Sequence, residues 1–232
     1  MGMAKRIIPS VALILAVCII AGVSAVRERI ISTNAPVTPS YKIIIDPGHG
    51  GIDGGAEAED GTDEKDLNLL IALKLKNVMQ LYGYEVIMTR TKDSSTDNSS
   101  SGFNKKGDLD NRLLLMKENP DAIFVSIHLN KVTTSAASGA QVFYSQKSDY
   151  SKELGQSIQD SVVKHIQPEN KRVIKRGTDS TYILKNATVP AVIVECGFLS
   201  NKAELQLLKD EDYQRKMAFC IAAGIIDFNL KY

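Results

Sequence analysis

The sequence predicts an α/β fold in which helices cover both faces of a largely parallel sheet. Three observations predict it. Short apolar runs such as "YKIIID", "AIFVSIHL" and "AVIVECGF" have the length and β-branched content of buried strands. Segments of helix formers with apolar faces stand between the runs, and the two kinds alternate along the chain. Finally, 232 residues with 44% hydrophobic and 24% charged content suffice for one substantial core.

Taken in order, Lys5 and Arg6 precede an uncharged stretch, Ile7 to Val26, and Arg27, Glu28 and Arg29 follow it. The flanking charges favour an export segment over a buried core helix. Its ~20 residues are long enough to span a bilayer as an anchor, while "VSA" at Val23 to Ala25 suits cleavage of a signal peptide. A lipoprotein signal at "LAVC" fits less well, because Val17 stands where a small residue is expected. Residues 1–29 are therefore assigned as signal peptide or N-terminal membrane anchor, which places the rest outside the cytoplasm. Residues 30–40, with two prolines and small polar side chains, form a linker. The folded domain is expected over 41–232.

Within it, Tyr41 to Asp46 predicts a strand. "EKDLNLLIALKLKNVMQLYG" predicts a largely buried helix with Asn68, Lys74, Lys76 and Asn77 on its polar side and Gly83 as its stop. "YEVIMTR" predicts a strand of alternating exposure, and the Ser-rich "TKDSSTDNSSSGFNKKG" a surface loop. A helix over Asp108 to Lys117, the strands "AIFVSIHL" and "AQVFYS", and a helix over Ser151 to Ile166 follow. "TYILK" and "AVIVECGF" predict two more strands, and "NKAELQLLK" and "YQRKMAFCIAAGIIDF" two closing helices.

Charge and cysteine usage exclude several function classes. With 28 basic and 27 acidic side chains there is no field suited to nucleic acid. Cys18, Cys196 and Cys220 lack the spacing of a thiolate metal site. A Cys196 to Cys220 bridge stays open beside the reading of both as buried apolar side chains.

Two of the three histidines stand where a site would form. His49 follows the first strand and His128 ends the "IFVSIHL" strand, and ligands gather outside the carboxyl ends of strands in open α/β sheets. His165, at a helix end beside Lys164, fits a solvated residue. Glu64 opens the first helix fifteen residues after His49, in a turn that also offers Asp63 and Asp66. Alone it would be a carboxylate at the positive end of a helix. Together with the two imidazoles it completes a set able to hold Zn²⁺ with one position open to water. Glu195, in an apolar strand, would be expensive to bury without purpose; facing such a water, it could accept a proton and return it to a leaving amine.

The blocks "DPGHGG", "EKDLNL", "SIHLN" and "VECGFLSN" resemble, in order, the signature blocks of the zinc-dependent N-acetylmuramoyl-L-alanine amidases, peptidoglycan hydrolases of bacterial cell walls. The resemblance covers Tyr41 to Phe228. It implies a mixed, mostly parallel six-stranded sheet flanked by helices on both faces, of phosphorylase/hydrolase-like type. It implies zinc on His49, Glu64 and His128, selecting Glu64 over its acidic neighbours, with Glu195 as catalytic acid/base. Asn130 and Arg112 fall at recurring family positions: Asn130 is expected to bind substrate in the cleft and Arg112 to support it, although an Asn cap and a surface ion pair would explain them structurally. The implied substrate is the amide between the lactyl group of N-acetylmuramic acid and L-alanine of the stem peptide.

No wall-binding repeat accompanies the domain, and the short "VTTSAAS" between Lys131 and Gly139 leaves no room for an occluding helix, so the groove should be open. This minimal exported form is similar to the germination-specific spore-cortex amidases, which strip stem peptides so that muramic-δ-lactam can form. It implies work at the cell wall or in the forespore intermembrane space, with peptidoglycan as partner and an accessory activating protein as a further one. Other readings are a vegetative autolysin of the same activity and a non-catalytic peptidoglycan-binding relative, for which Glu195 would have no use. A Cys196 nucleophile served by His128 competes weakly, since Cys196 adjoins Glu195 and points to the opposite face of its strand. A nucleotide-binding loop fails because Asp53 stands where G-x-G-x-x-G needs glycine.

Overall fold

The computed structural model describes residues 41–97, 102–178 and 181–232. The predicted export segment and linker, and the middle of the Ser-rich loop, lie outside the described residues. Among those described, no helix is long and apolar enough to cross a membrane.

Among the described residues six strands form one sheet: β1 (Lys42–Pro47), β2 (Val86–Met88), β3 (Ala122–Asn130), β4 (Gln141–Tyr144), β5 (Lys175–Arg176) and β6 (Ala191–Phe198), in the order β2-β1-β3-β6-β4-β5. All neighbours run parallel except β4 against β6, so the sheet is mixed and mostly parallel. The helices are α1 (Glu64–Leu81), α2 (Lys105–Glu118), α3 (Asp149–His165), α4 (Tyr182–Asn186), α5 (Lys202–Lys209) and α6 (Glu211–Lys231).

The side-chain alternation of β1 sorts the two layers. Ile43 and Ile45 enter a large apolar cluster with Leu67, Ile71 and Leu75 of α1, Leu154 and Ile158 of α3, Leu205 of α5 and Ile221 of α6. Ile44 enters a smaller one, with Leu113 and Met116 of α2 and Ile183 and Leu184 of α4. Three helix starts carry polar side-chain caps: Asn104 Oδ1 accepts from the Lys106 and Gly107 amides, Asn201 Oδ1 from those of Ala203 and Glu204, and Asp210 from that of Tyr213. Gly83, at φ +84°, follows the end of α1.

The structure corrects four expectations. "TYILK" is not a strand but lies in α4, because the adjacent Ile183 and Leu184 are both buried in one cluster, which a helix permits and a strand's alternation does not. The sixth strand is instead the two-residue exposed edge β5, too short and too charged to be read from pattern. Val86, Ile87 and Met88 are all half-buried rather than alternating, as suits an edge strand partly covered on both faces. Asn68, expected on the polar side of α1, is fully buried, since it serves the loop described next.

Candidate functional site

β1 and β3 are adjacent and parallel, and the chain leaves them in opposite directions across the sheet, α1 leading to β2 on one side and β3 leading to β4 on the other. That switch point opens a crevice at their carboxyl ends. His49 lies just past β1, while His128 lies in β3, immediately before a register shift, and is paired with Glu195 of β6. Glu64, the first residue of α1, completes the ring from above.

One ligand atom from each of His49, Glu64 and His128 lies within 4.8 Å of the others. His49 Nε2 is 3.3 Å from Glu64 Oε2, and His128 Nδ1 is 2.9 Å from Glu64 Oε1. Two donors about 2.0–2.1 Å from one tetrahedral ion would stand about 3.3 Å apart, so the spacing fits a single cation. The imidazole rings meet edge to face with centroids 4.9 Å apart. Asp63 and Asp66, the alternatives to Glu64, are not in this cluster.

Glu64 is held rigidly. Its Oε2 accepts from the Ala56 amide at 3.0 Å, and its Oε1 from the Leu129 amide at 3.1 Å and Asn68 Nδ2 at 3.2 Å. Burial disfavours its charge, but His128 and His49 more than offset that, and its pKa falls well below the usual carboxylate range. For His49, burial likewise opposes the charged ring while Glu64 and Asp53 outweigh it, so its pKa is raised.

Glu195 has the opposite balance. Its Oε2 is buried and has no hydrogen-bond partner among the described residues. Burial pushes its pKa up to about 7, with His128 pulling down and Glu64 adding to the rise. A carboxyl poised near neutrality beside a candidate cation site is matched to both accepting and donating a proton.

The loop from Pro47 to Gly55 is shaped by contacts that sequence reasoning largely missed. Two buried arginines take up its carbonyls: Arg90 donates to Pro47 O at 3.0 Å and Gly48 O at 2.9 Å, and Arg112 to Pro47 O at 3.1 Å and His49 O at 2.9 Å. The signal for Arg90 was a charge closing the apolar run "VIMTR". His49 itself sits at φ +62°, a conformation non-glycine residues seldom adopt. Asp53, which the sequence showed only as the break in a nucleotide-binding pattern, meets the histidine: its Oδ2 is 3.0 Å from His49 Nδ1.

Arg112 is 2% exposed beneath this loop. The ion pair offered as its structural explanation is a buried one, not a surface one. Asn130 is half-buried at the end of β3, its backbone carbonyl accepting from the Leu199 amide at 2.8 Å; it caps no helix. Between β3 and β4 there is no helix, and Lys131 to Ala136 are exposed. Cys196 is fully buried on the core side of β6, with Sγ facing Val194 O at 3.7 Å, and burial drives its thiol pKa far up, so it cannot serve as nucleophile. Cys220 is buried and, like Cys196, free, which excludes the bridge between them. His165 is exposed at the end of α3.

Gly48 tests the packing. A Cβ there would lie 2.3 Å from the His128 ring, and the ring would have to move. Gly48→Ala is expected to displace His128 by the order of 1 Å and reduce turnover on the order of 100-fold, with weaker metal retention on dialysis as the independent readout.

A mixed α/β sheet that gathers two imidazoles and a carboxylate at its switch point, beside a glutamate poised to carry a proton, defines an enzyme with a candidate metal centre. The family profile of N-acetylmuramoyl-L-alanine amidases matches residues 43–227. The germination-specific N-acetylmuramoyl-L-alanine amidase of Bacillus subtilis (strain 168) is 35% identical over 193 residues, covering 82% of this chain and 80% of that protein. The solved structure of the CwlD amidase from Clostridioides difficile in complex with the GerS lipoprotein has a TM-score of 0.76 at 42% identity, covering 83% of this chain and all of that one (100%). A second N-acetylmuramoyl-L-alanine amidase, from Clostridium difficile 630, has a TM-score of 0.72 at 33% identity, covering 82% of this chain and 97% of that one. The chain belongs to the N-acetylmuramoyl-L-alanine amidase family. It is an amide hydrolase, acting on the bond between the lactyl group of N-acetylmuramic acid and L-alanine of the stem peptide.

Proposed function

We propose that His49, Glu64 and His128 hold Zn²⁺ and that Glu195 is the acid/base of a cortex-directed peptidoglycan amidase. The observation that carries the first part is the convergence of three donor atoms within 4.8 Å around space bordered by an unpaired carboxylate oxygen. Two imidazoles and one carboxylate suit zinc and leave a coordination position open. Bound there, zinc supplies a Lewis acid for the scissile carbonyl and lowers the pKa of water toward ~7. Glu195 takes the proton from the attacking water and gives it to the departing L-alanine nitrogen. Asn130 borders the cleft and orients the stem, and Arg112 holds the His49 backbone in place.

Because the three ligands come from distant segments, metal binding stabilises the fold. At free zinc about 1,000-fold above Kd the gain is about 4 kcal/mol. For a domain of this size each kcal/mol moves Tm by about 2–4 °C, so chelation is expected to lower Tm by about 8–16 °C in a thermal scan.

The cortex assignment is supported by the likeness to the germination-specific amidase of Bacillus subtilis and to CwlD of Clostridioides difficile. In this reading residues 1–29 export the chain as a cleaved signal or an anchor, residues 30–40 tether it, and residues 41–232 work on peptidoglycan outside the cytoplasmic membrane. The relative seen with the GerS lipoprotein supports an accessory protein as activator here too. Mass spectrometry of fragments released from purified cortex and vegetative peptidoglycan, with metal analysis of the same sample, tests the proposal. Free stem peptides from cortex, with zinc near one per chain, are expected; release only from vegetative wall would favour an autolysin, and no release with zinc bound would favour a non-catalytic binder.

A further inference from the structure

The geometry points to Asp53 as a positioning residue that sets the tautomer and ring orientation of His49. The inference deepens the zinc reading of the site and rests on it.

His49 presents two distinct ring nitrogens. Nε2 faces the cluster, 3.3 Å from Glu64 Oε2, and Nδ1 faces away from it, 3.0 Å from Asp53 Oδ2. A neutral imidazole that offers Nε2 to a cation must carry its proton on Nδ1, and a carboxylate accepting that proton's hydrogen bond selects this tautomer. Asp53 is itself fixed from three directions. Its Oδ1 accepts from the Gly55 amide at 3.2 Å, Lys105 Nζ lies 3.3 Å from its Oδ2, and its backbone bridges to Gly50. The Asp53 side chain is only 16% exposed, against 64% for that of Lys105, so the carboxylate is the shielded partner.

The backbone makes this orientation matter. His49 is held at φ +62° by Arg112 on its carbonyl, so its Cα and Cβ directions are set by the loop. Rotation about χ1 and χ2 is what remains, and the bond from Nδ1 to Asp53 on one side, with Glu64 facing Nε2 on the other, restricts it. His128 meets Glu64 through Nδ1, and its far nitrogen, Nε2, faces no such carboxylate among the described contacts. Asp53 therefore acts on one ligand selectively.

The test uses the full-length protein with ¹⁵N-labelled histidine, whose three rings give a readable spectrum. In the wild type, zinc-loaded, and metal-free at a pH alkaline enough to leave the ring neutral, the His49 ring is expected as the Nδ1–H tautomer. Asp53→Ala is expected to lose that tautomer preference in the metal-free protein and to weaken zinc, measured by chelator competition, about 10- to 100-fold. Asp53→Asn, which keeps an acceptor of the same shape, is expected to lie between. Unchanged tautomer and zinc affinity within twofold in Asp53→Ala would overturn the inference while leaving the zinc site intact. A misfolded Asp53→Ala leaves the Asn variant to decide by the same two readouts. A wild type that binds no zinc would overturn this inference and the zinc reading together.

Discussion

Glu195→Gln is expected to abolish amide hydrolysis while leaving bound metal unchanged. The substitution preserves shape and hydrogen-bonding reach but removes the group that accepts and returns a proton, a contribution of ~10²- to 10⁴-fold. Glu195 lies outside the ligand cluster, so metal content has no reason to fall. His128→Ala, by contrast, removes a donor and is expected to lose metal and activity together. The split between the two variants, read as stem-peptide release and zinc per chain, is the diagnostic. Near-wild-type turnover of Glu195→Gln on intact peptidoglycan would refute its role.

Arg112→Ala is expected to cost the fold about 3–5 kcal/mol, the range for breaking a buried ion pair. Arg112 donates to Asp46 Oδ1, to Asp108 Oδ2 at 3.0 Å, and to two loop carbonyls. Asp46 and Asp108 are 1% and 3% exposed, so truncation strands two carboxylates out of water. At about 2–4 °C per kcal/mol, Tm should fall by roughly 6–20 °C. Lysine should rescue only part of this, lacking the planar fork that serves several acceptors. The same cluster predicts an acid limb. Burial pushes the Asp46 carboxyl up, but Arg112, with the Ser126 and Thr89 hydroxyls each 2.6 Å away, outweighs it, and its pKa is lowered below 3.8. A depressed carboxylate pKa contributes stability that is fully present above the unfolded value and lost as pH falls through the folded one. Stability should therefore drop on acidification below about 4, and Asp46→Asn should flatten that drop while lowering stability at neutral pH.

How much of this was legible varies with the range of the forces involved. β1, β3 and β6 were readable because a strand buried on both faces must be apolar almost throughout. α4 and β5 were not: five residues and two residues carry too little pattern, and their conformations are set by what packs against them. In the site, His49 and His128 stood out through their places at strand ends, and Glu64 through its block. Arg90, Asn68 and Asp53 did not, because each acts by a contact over 20 to 43 positions of sequence, or inside a loop whose turns no periodicity describes.

The amino-acid order alone determined the alternation of strands and helices, the residues with cation-binding chemistry and the glutamate in an apolar strand, since these follow from local composition and side-chain type. Only the tertiary structure decided that β1 and β3 lie side by side with their ends open, that two buried arginines hold the histidine loop, and that Asp53 meets the far side of the His49 ring. Those are matters of direction and distance between segments remote in the chain, and they exist only once the apolar faces have packed.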